Sequence, residues 1–170
     1  MDTQFHQLHQ DGLLILTNVA DATGARIVEQ LGCKAVATSS AAVAWAHGYA
    51  DGNALPLERL VSTVESIARV ISLPLTVGVE AGYCDDLTRV AQVIEAVIAA
   101  GAVGINIEDG ASVPELLVRK IEVAHKVADQ RNAIVRFRNT GRVVGKIELI
   151  SHRSQLRQPV RNRQQSGNSI

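Results

Sequence analysis

Aromatic side chains are scarce in this sequence: two Phe, two Tyr and one Trp make up 3% of 170 residues. Hydrophobic residues still reach 46%, so the chain can bury a core, and that core must be built from Ala, Val, Ile and Leu. Such a composition excludes disorder throughout. Only two cysteines occur, Cys33 and Cys84. They form neither a disulfide framework nor a CxxC metal or redox motif, and two inert thiols are expected. No apolar run reaches about 18 residues, which excludes a membrane-spanning helix. The opening MDTQFHQLHQD has no basic segment followed by an apolar core, so no secretory leader is expected. A soluble cytoplasmic protein is the resulting expectation. No GxGxxG follows the first apolar run and no Walker A sequence occurs, which leaves both familiar kinds of nucleotide site without support. GxSxG and Cys/His nucleophile patterns are also missing, and His6, His9, His125 and His152 fit no metal-ligand spacing.

Net charge is lacking too, with 17 Lys/Arg against 17 Asp/Glu, but the balance is uneven. Residues 1–140 carry 11 basic and 16 acidic side chains, and residues 141–170 carry 6 basic and one acidic. The last stretch, SHRSQLRQPVRNRQQSGNSI, has no helical or strand period. A divergent basic tail over 141–170, partly disordered, is expected. Arg-rich arms can touch nucleic acid, but this one lacks aromatic interleaving and any recognisable motif, which speaks against a nucleic-acid partner.

The body alternates short apolar runs with amphipathic ones. Strands are predicted at Leu13–Thr17, Lys34–Thr38, Leu73–Val79, Val103–Ile107 and Ala133–Phe137, and Val143–Ile150 offers a sixth. Helices are predicted at Asp21–Leu31, Pro56–Ile71, Leu87–Ala100 and Val113–Asp129. Leu57, Leu60, Val64, Ile67, Ala68 and Ile71 keep the 3.6-residue period, and Pro56 suits a first-turn position. Asn18 or Asp21 offers an N-cap to the first helix, and Gly32 and Gly101 fall just past helix ends. The strands are apolar on both faces, as parallel strands are when helices cover the sheet. Five βα units therefore point to a parallel α/β fold. Two closures compete: a doubly wound open sheet, and a partial (β/α)8 barrel of the TIM type, since a whole barrel takes about 250 residues.

Ligands in βα folds bind where the loops after the strands converge, and the polar residues cluster there. They are Asn18 and Asp21; Thr38, Ser39, Ser40, Trp45, His47 and Asp51; Glu80, Tyr83, Asp85 and Asp86; Asn106, Glu108 and Asp109; then Arg138, Asn139 and Thr140. Carboxylates from several loops could share one hard cation such as Mg2+. Arg138 could grip a substrate carboxylate, and backbone amides near Ser39 and Ser40 could stabilise an enolate oxygen. Helix capping by Asn18, Asp21 and the serines, dipole compensation by Asp85 and Asp86, a turn at Asp51-Gly52 and packing of Trp45 and His47 remain open alternatives.

Four stretches carry a resemblance: LTNVADATGARIVEQLG, AVATSSAAVAWAHGYADG, LPLTVGVEAGY and VIAAGAVGINIEDG. In order and spacing they resemble the isocitrate lyase / phosphoenolpyruvate mutase superfamily, specifically its short phosphonomutase-like members. The resemblance implies a (β/α)8 barrel that binds Mg2+, assembles as a homo-oligomer and acts on a small α-oxo acid, carboxylate or phosphonate, through an enolate-like intermediate. It implies further that Ser39, with the backbone of Ser40 and Ala41, holds the pyruvate-like carboxylate and oxo group. Asp51 is implied near the reacting group, and Arg138 on the substrate's acidic group. Glu80 and Glu108 are implied as metal-shell carboxylates acting largely through metal-bound water.

The sequence also departs from the family pattern. Gly78 stands where the family has the aspartate that ligates the metal directly, and Cys84 replaces a glycine. Arg136 replaces an asparagine, and Asn139-Thr140 replaces Thr-Asp. The resemblance is expected to end at Thr140, so 1–140 reads as an incomplete barrel domain, truncated at its C-terminal side, with 141–170 of native or frameshifted origin. The function expected is a Mg2+-dependent lyase or phosphonomutase; the alternative is a catalytically inactive remnant or a structural α/β protein.

Overall fold

The computed structural model describes residues 2–10, 12–110, 112–131 and 134–138. The possible sixth strand and the basic tail lie outside the described residues. Eleven elements follow one another: α1 (Asp2–Leu8), β1 (Thr17–Val19), α2 (Ala22–Gln30), β2 (Val36–Thr38), α3 (Ser40–Ala46), α4 (Leu57–Val70), β3 (Leu75–Gly78), α5 (Leu87–Ala99), β4 (Gly104–Glu108), α6 (Pro114–Arg131) and β5 (Ile134–Arg138). The five strands form one sheet in the order β1-β2-β3-β4-β5, every pair parallel.

That order decides between the two closures. A doubly wound sheet reverses strand order at a switch point, and this one never reverses. Right-handed crossovers that always step the same way lay their helices on one side of the sheet. The helices accordingly pack as neighbours, α2 on α4, α4 on α5 and α5 on α6. This is the wall of a partial TIM-type barrel.

The core is aliphatic, as the composition requires. Leu60, Val64 and Ile67 of α4, Val90, Ile94 and Val97 of α5, and Ala124, Val127 and Ala128 of α6 pack on Val36, Leu75, Val77, Ile105 and Ile107 of the strands. A second cluster closes the N-terminal edge of the sheet. Phe5 of α1 is fully buried against Ala35 and Val103, which immediately precede β2 and β4. The opposite edge is left to polar residues.

Local signals explain most boundaries. Asp21 caps α2 by accepting from the Gly24 amide at 2.7 Å, and Asp86 caps α5 by accepting from Arg89 at 2.9 Å. Strand β1 departs from expectation. The apolar run Leu13–Leu16 precedes it, with Leu13 and Ile15 exposed while Leu14 and Leu16 pack near Phe5. Pairing with β2 begins only at Thr17, opposite Val36. Helices α1 and α3 carry no signal in the sequence, and Trp45, for which packing was one of two open readings, is exposed. Both cysteines are free. Among the described residues no helix is long and apolar enough to cross a membrane.

Gly101 shows why the α5–β4 turn takes glycine. Its φ is +116°, and a Cβ there would lie 2.7 Å from the Ala68 Cβ of α4. Gly101→Ala is therefore expected to cost about 1–3 kcal/mol, measured as a lower midpoint in urea with an unchanged slope.

Candidate functional site

The C-terminal ends of the strands lie side by side. Val19 of β1 is in register with Thr38, Gly78 with Asn106, and Glu108 with Arg138. Backbone bonding continues past the end of β3. The Val79 amide donates to the Asn106 carbonyl and the Glu108 amide to the Glu80 carbonyl, both at 2.9 Å. Glu80 and Glu108 thus leave adjacent strands at one level of the same edge.

Gly78 sets the floor of this edge. Its amide donates to the Thr38 hydroxyl at 2.9 Å. A Cβ on it would lie 3.3 Å from the Thr38 carbonyl oxygen and 3.4 Å from the Ser40 amide nitrogen. The start of α3 therefore sits directly on β3. Ser39 caps α3 by accepting from the Ala42 amide at 3.3 Å, which uses its oxygen as acceptor and leaves its O–H free to donate. Ser39, Ser40 and Ala41 are all half-buried.

Glu80 is the centre of the arrangement. It is 3% exposed and has a φ of +48°, unusual for a residue with a side chain. Its Oε2 accepts from the Asn53 amide, and its Oε1 is buried with no hydrogen-bond partner among the described residues. Asn53 then turns back on the same loop: its Oδ1 accepts from the Ala81 amide at 3.3 Å and the Tyr83 amide at 3.1 Å. Asn53, Glu80 and Tyr83 are the described non-glycine residues with positive φ, and all three belong to this one knot. Backbone strain of this kind gathers at functional sites and persists where surrounding contacts enforce it.

Burial pushes the Glu80 carboxyl above its ordinary range; the Asn53 amide and, less, the Gly52 amide oppose this, and the negative charges of Asp51 and Glu108 push it higher. Burial likewise raises the Tyr83 phenol well above its ordinary range, with Glu80 and Asp51 adding to the effect. The Tyr83 hydroxyl is buried and has no partner among the described residues. Asp51 is exposed and Glu108 half-buried.

The structure therefore brings Asp51, Glu80 and Glu108 into one electrostatic neighbourhood, and sets the Ser40 amide against the same strand end. Arg138 ends β5 in register with Glu108. His47 is exposed and its Nε2 pairs with the Thr63 hydroxyl at 2.8 Å; that hydroxyl in turn donates to the Arg59 carbonyl. Among the described residues no three His, Cys, Asp or Glu side chains converge as a metal-ligand set.

Two residues here carried no functional signal in the sequence. Asn53 announces itself only as part of an Asp-Gly-Asn turn. Lys120 sits mid-helix in α6, 1% exposed; its Nζ donates to the Ala81 carbonyl and to Asp85 Oδ1, each at 2.8 Å. It pins the loop one residue after Glu80.

Lys120→Met should destabilise the fold by about 1–3 kcal/mol, because the Ala81 carbonyl loses its donor. Asp85→Asn should cost under about 1 kcal/mol, since Asp85 is largely in water. Urea unfolding of the two variants checks the ratio. A pH effect follows from Glu80. A carboxyl raised in the folded state holds its proton more tightly there than in the unfolded chain, so its contribution to stability falls as pH rises through the raised value. Glu80→Gln should therefore raise Tm at pH 7, with the gain shrinking toward pH 4, as differential scanning calorimetry would register.

Comparisons with known proteins bear on the fold and the family. The family model described as phosphoenolpyruvate phosphomutase matches residues 5–152, twelve residues past Thr140, where the sequence placed the end of the resemblance. The solved structure of a Burkholderia cenocepacia J2315 protein assigned as a phosphonomutase is 35% identical, with a TM-score of 0.77 over 81% of this chain and 60% of that one. The 2-methylisocitrate lyase of Escherichia coli (strain K12) is 29% identical over 103 residues, 60% of this chain and 35% of that enzyme. A phosphonopyruvate hydrolase solved with oxalate and Mg2+ shares the fold at 22% identity, with a TM-score of 0.74 over 81% of this chain and 52% of that one. The chain thus spans about 60% or less of each of these relatives. With the family model matched over most of its length, and the wall of parallel βα units in place, the chain belongs to the phosphoenolpyruvate phosphomutase family.

Proposed function

We propose that this chain is a Mg2+-dependent lyase or phosphonomutase acting on a small α-oxo acid, carboxylate or phosphonate, through an enolate. The observation that carries this reading is Glu80: a carboxylate 3% exposed, with one oxygen anchored and the other left without a partner, beside the charges of Asp51 and Glu108. Burying such a group with a vacant oxygen is costly unless a ligand uses it. The donor set suits Mg2+, a hard ion that takes oxygen, keeps several waters and is commonly held by only one or two carboxylates.

On this reading the Ser39 hydroxyl and the Ser40 and Ala41 amides donate to the carboxylate and oxo group of the substrate. Arg138 pairs with its second acidic group, and Asp51 stands near the reacting carbon. Mg2+, when bound, supplies positive charge where enolate charge develops. The amides add fixed dipoles at the same place, and such dipoles need no reorganisation during the reaction. Burial keeps the Glu80 carboxylate at low dielectric, where these interactions are strongest, while Asp51 acts from solvent. A homo-oligomer, usual in the family by resemblance, is part of the same proposal, as is the division into a barrel portion over 1–140 and a basic tail.

Two observations favour a second reading, a protein that retains the site but has lost turnover. Gly78 has no side chain, and among the described residues no three-ligand set exists.

The two readings separate in one assay. Phosphonopyruvate, phosphoenolpyruvate and a panel of C4 to C7 hydroxy and oxo acids are incubated with the protein and Mg2+, followed by phosphorus NMR and pyruvate release. The first reading expects turnover that chelation abolishes and that Glu80→Gln lowers by roughly a hundredfold or more. A folded protein that turns over none of them at any Mg2+ concentration supports the second.

A further inference from the structure

Apolar side chains left in water gather at one corner of the molecule. Leu13 is 91% exposed, Ile15 72%, Ile27 53% and Leu31 78%. The fold makes them neighbours. Leu13 and Ile15 lead into β1, and the Thr17 hydroxyl at its start meets the Cys33 thiol at 3.1 Å. Cys33 follows Leu31 by two residues, and the Leu31 amide donates to the Ile27 carbonyl one turn back on α2. A line of aliphatic side chains therefore runs from the approach to β1 onto the last turn of α2, at the N-terminal end of the sheet. Two further exposed valines, Val113 and Val118, lie at the start of α6, the opposite end of the helical layer.

Local packing explains why these four side chains face water. Leu14 and Leu16 pack near Phe5, and Leu13 and Ile15 alternate with them on the other side. Ala25 and Val28 take the inner face of α2, which leaves Ile27 and Leu31 on the outer one. Strand β1 is also the end of the sheet: among the described residues it pairs with β2 alone. Natural proteins cover or charge an end strand flanked by exposed aliphatic side chains, and this one is not charged. Arg26 and Glu29, the ionic groups of the same stretch of α2, pair with each other. Glu29 also accepts from the Ser72 amide at 2.6 Å.

We propose that a second copy of this chain covers the corner, the two copies meeting through Leu13, Ile15, Ile27 and Leu31 about a two-fold axis. Three properties of the surface argue for that occupant. It is aliphatic, and such a surface is its own complement when a two-fold axis sets it on itself. The ions beside it are matched within one copy, so it offers no free charge for an acidic or basic partner to read. Its area suits a dimer. The four side chains expose on the order of 400–500 Å2 per copy, so two copies together bury about 1,000 Å2, the lower bound of a specific interface. An interface of this size is weak, and the dimer forms reversibly in the micromolar range or above. The inference names a face for the homo-oligomer included in the proposed function and rests on none of its chemistry. A dimer without turnover leaves it standing, and turnover by a protein that stays monomeric overturns it alone.

Sedimentation equilibrium of the whole chain, from about 1 μM to 1 mM, tests it. Wild type should pass from monomer to dimer in that range. The concentration at half-dimer should not rise with added NaCl and should fall with sodium sulfate, as an apolar contact requires. Leu13→Lys and Leu31→Lys should each raise that concentration by roughly tenfold or more. Both replace side chains that lie mostly in water, and a lysine also suits the C-terminal end of α2, so Tm of the dilute monomer should not fall. Val113→Lys, at the far end of the helical layer, should leave the half-dimer concentration within about twofold. A wild type that stays monomeric to about 1 mM, a dimer that the Leu13 and Leu31 variants leave intact, or species heavier than a dimer overturns the proposal. So does a monomer whose Tm these two variants lower by several degrees, since the corner is then covered by the chain's own remaining residues.

Discussion

Glu80 is a formally ionisable side chain that is 3% exposed, with half of its carboxylate unsatisfied by the described residues. Such a group opposes folding, and the fold must be organised around keeping it in place. The means of doing so are visible. A loop 27 residues earlier in sequence supplies the Asn53 amide, and a helix 39 residues later than Ala81 supplies the Lys120 ammonium. Three residues adopt left-handed backbone conformations to make those bonds. Local strain of this kind survives only where packing enforces it, and here β3, β4, α5 and α6 provide the frame.

The frame itself follows from simpler rules. Apolar residues on both faces of short strands demand covering layers, and strand order without reversal puts those layers on one side. Phe5 and its neighbours close the N-terminal edge with apolar contacts. Polar residues are therefore concentrated at the other edge. Gly78 permits β2, β3 and the start of α3 to approach within van der Waals contact. The same absence of a side chain that weakens the family's metal pattern draws the Ser40 amide onto the strand end. Site and fold are thus two consequences of one alternation of strand and helix.

Much of this was legible in the residues. The periodic run predicted as a helix over 56–71 forms α4 at 57–70, and the run predicted over 87–100 forms α5 at 87–99. The strands fall within two residues of their predicted bounds, apart from the first, where an apolar run is unpaired until Thr17. Its alternation of exposed Leu13 and Ile15 with Leu14 and Leu16 imitates a strand because both obey the two-residue period. Seven residues of Ser, Ala, Val and Trp were too few to show a helical period, so α3 passed unnoticed. The placement of Glu80 just past β3 and of Glu108 at the end of β4 was readable because a charge at the end of an apolar strand is hard to explain by solubility. Asn53 and Lys120 were not readable. Their roles depend on contacts across 27 and 39 residues, and neither residue type is rare in a turn or on a helix. Lys120 in particular lies in a charged, amphipathic helix where sequence alone places a lysine in water.

The account depends on the strand ends around Glu80 being a ligand site. Anomalous diffraction at the manganese edge, from crystals of this protein grown with Mn2+ and oxalate, addresses that site directly. The expected result is one peak beside Glu80 and Glu108, with oxalate lying between it and the Ser40 amide. A map with no anomalous density there, and Glu80 Oε1 instead hydrogen-bonded to another protein group, would contradict the account.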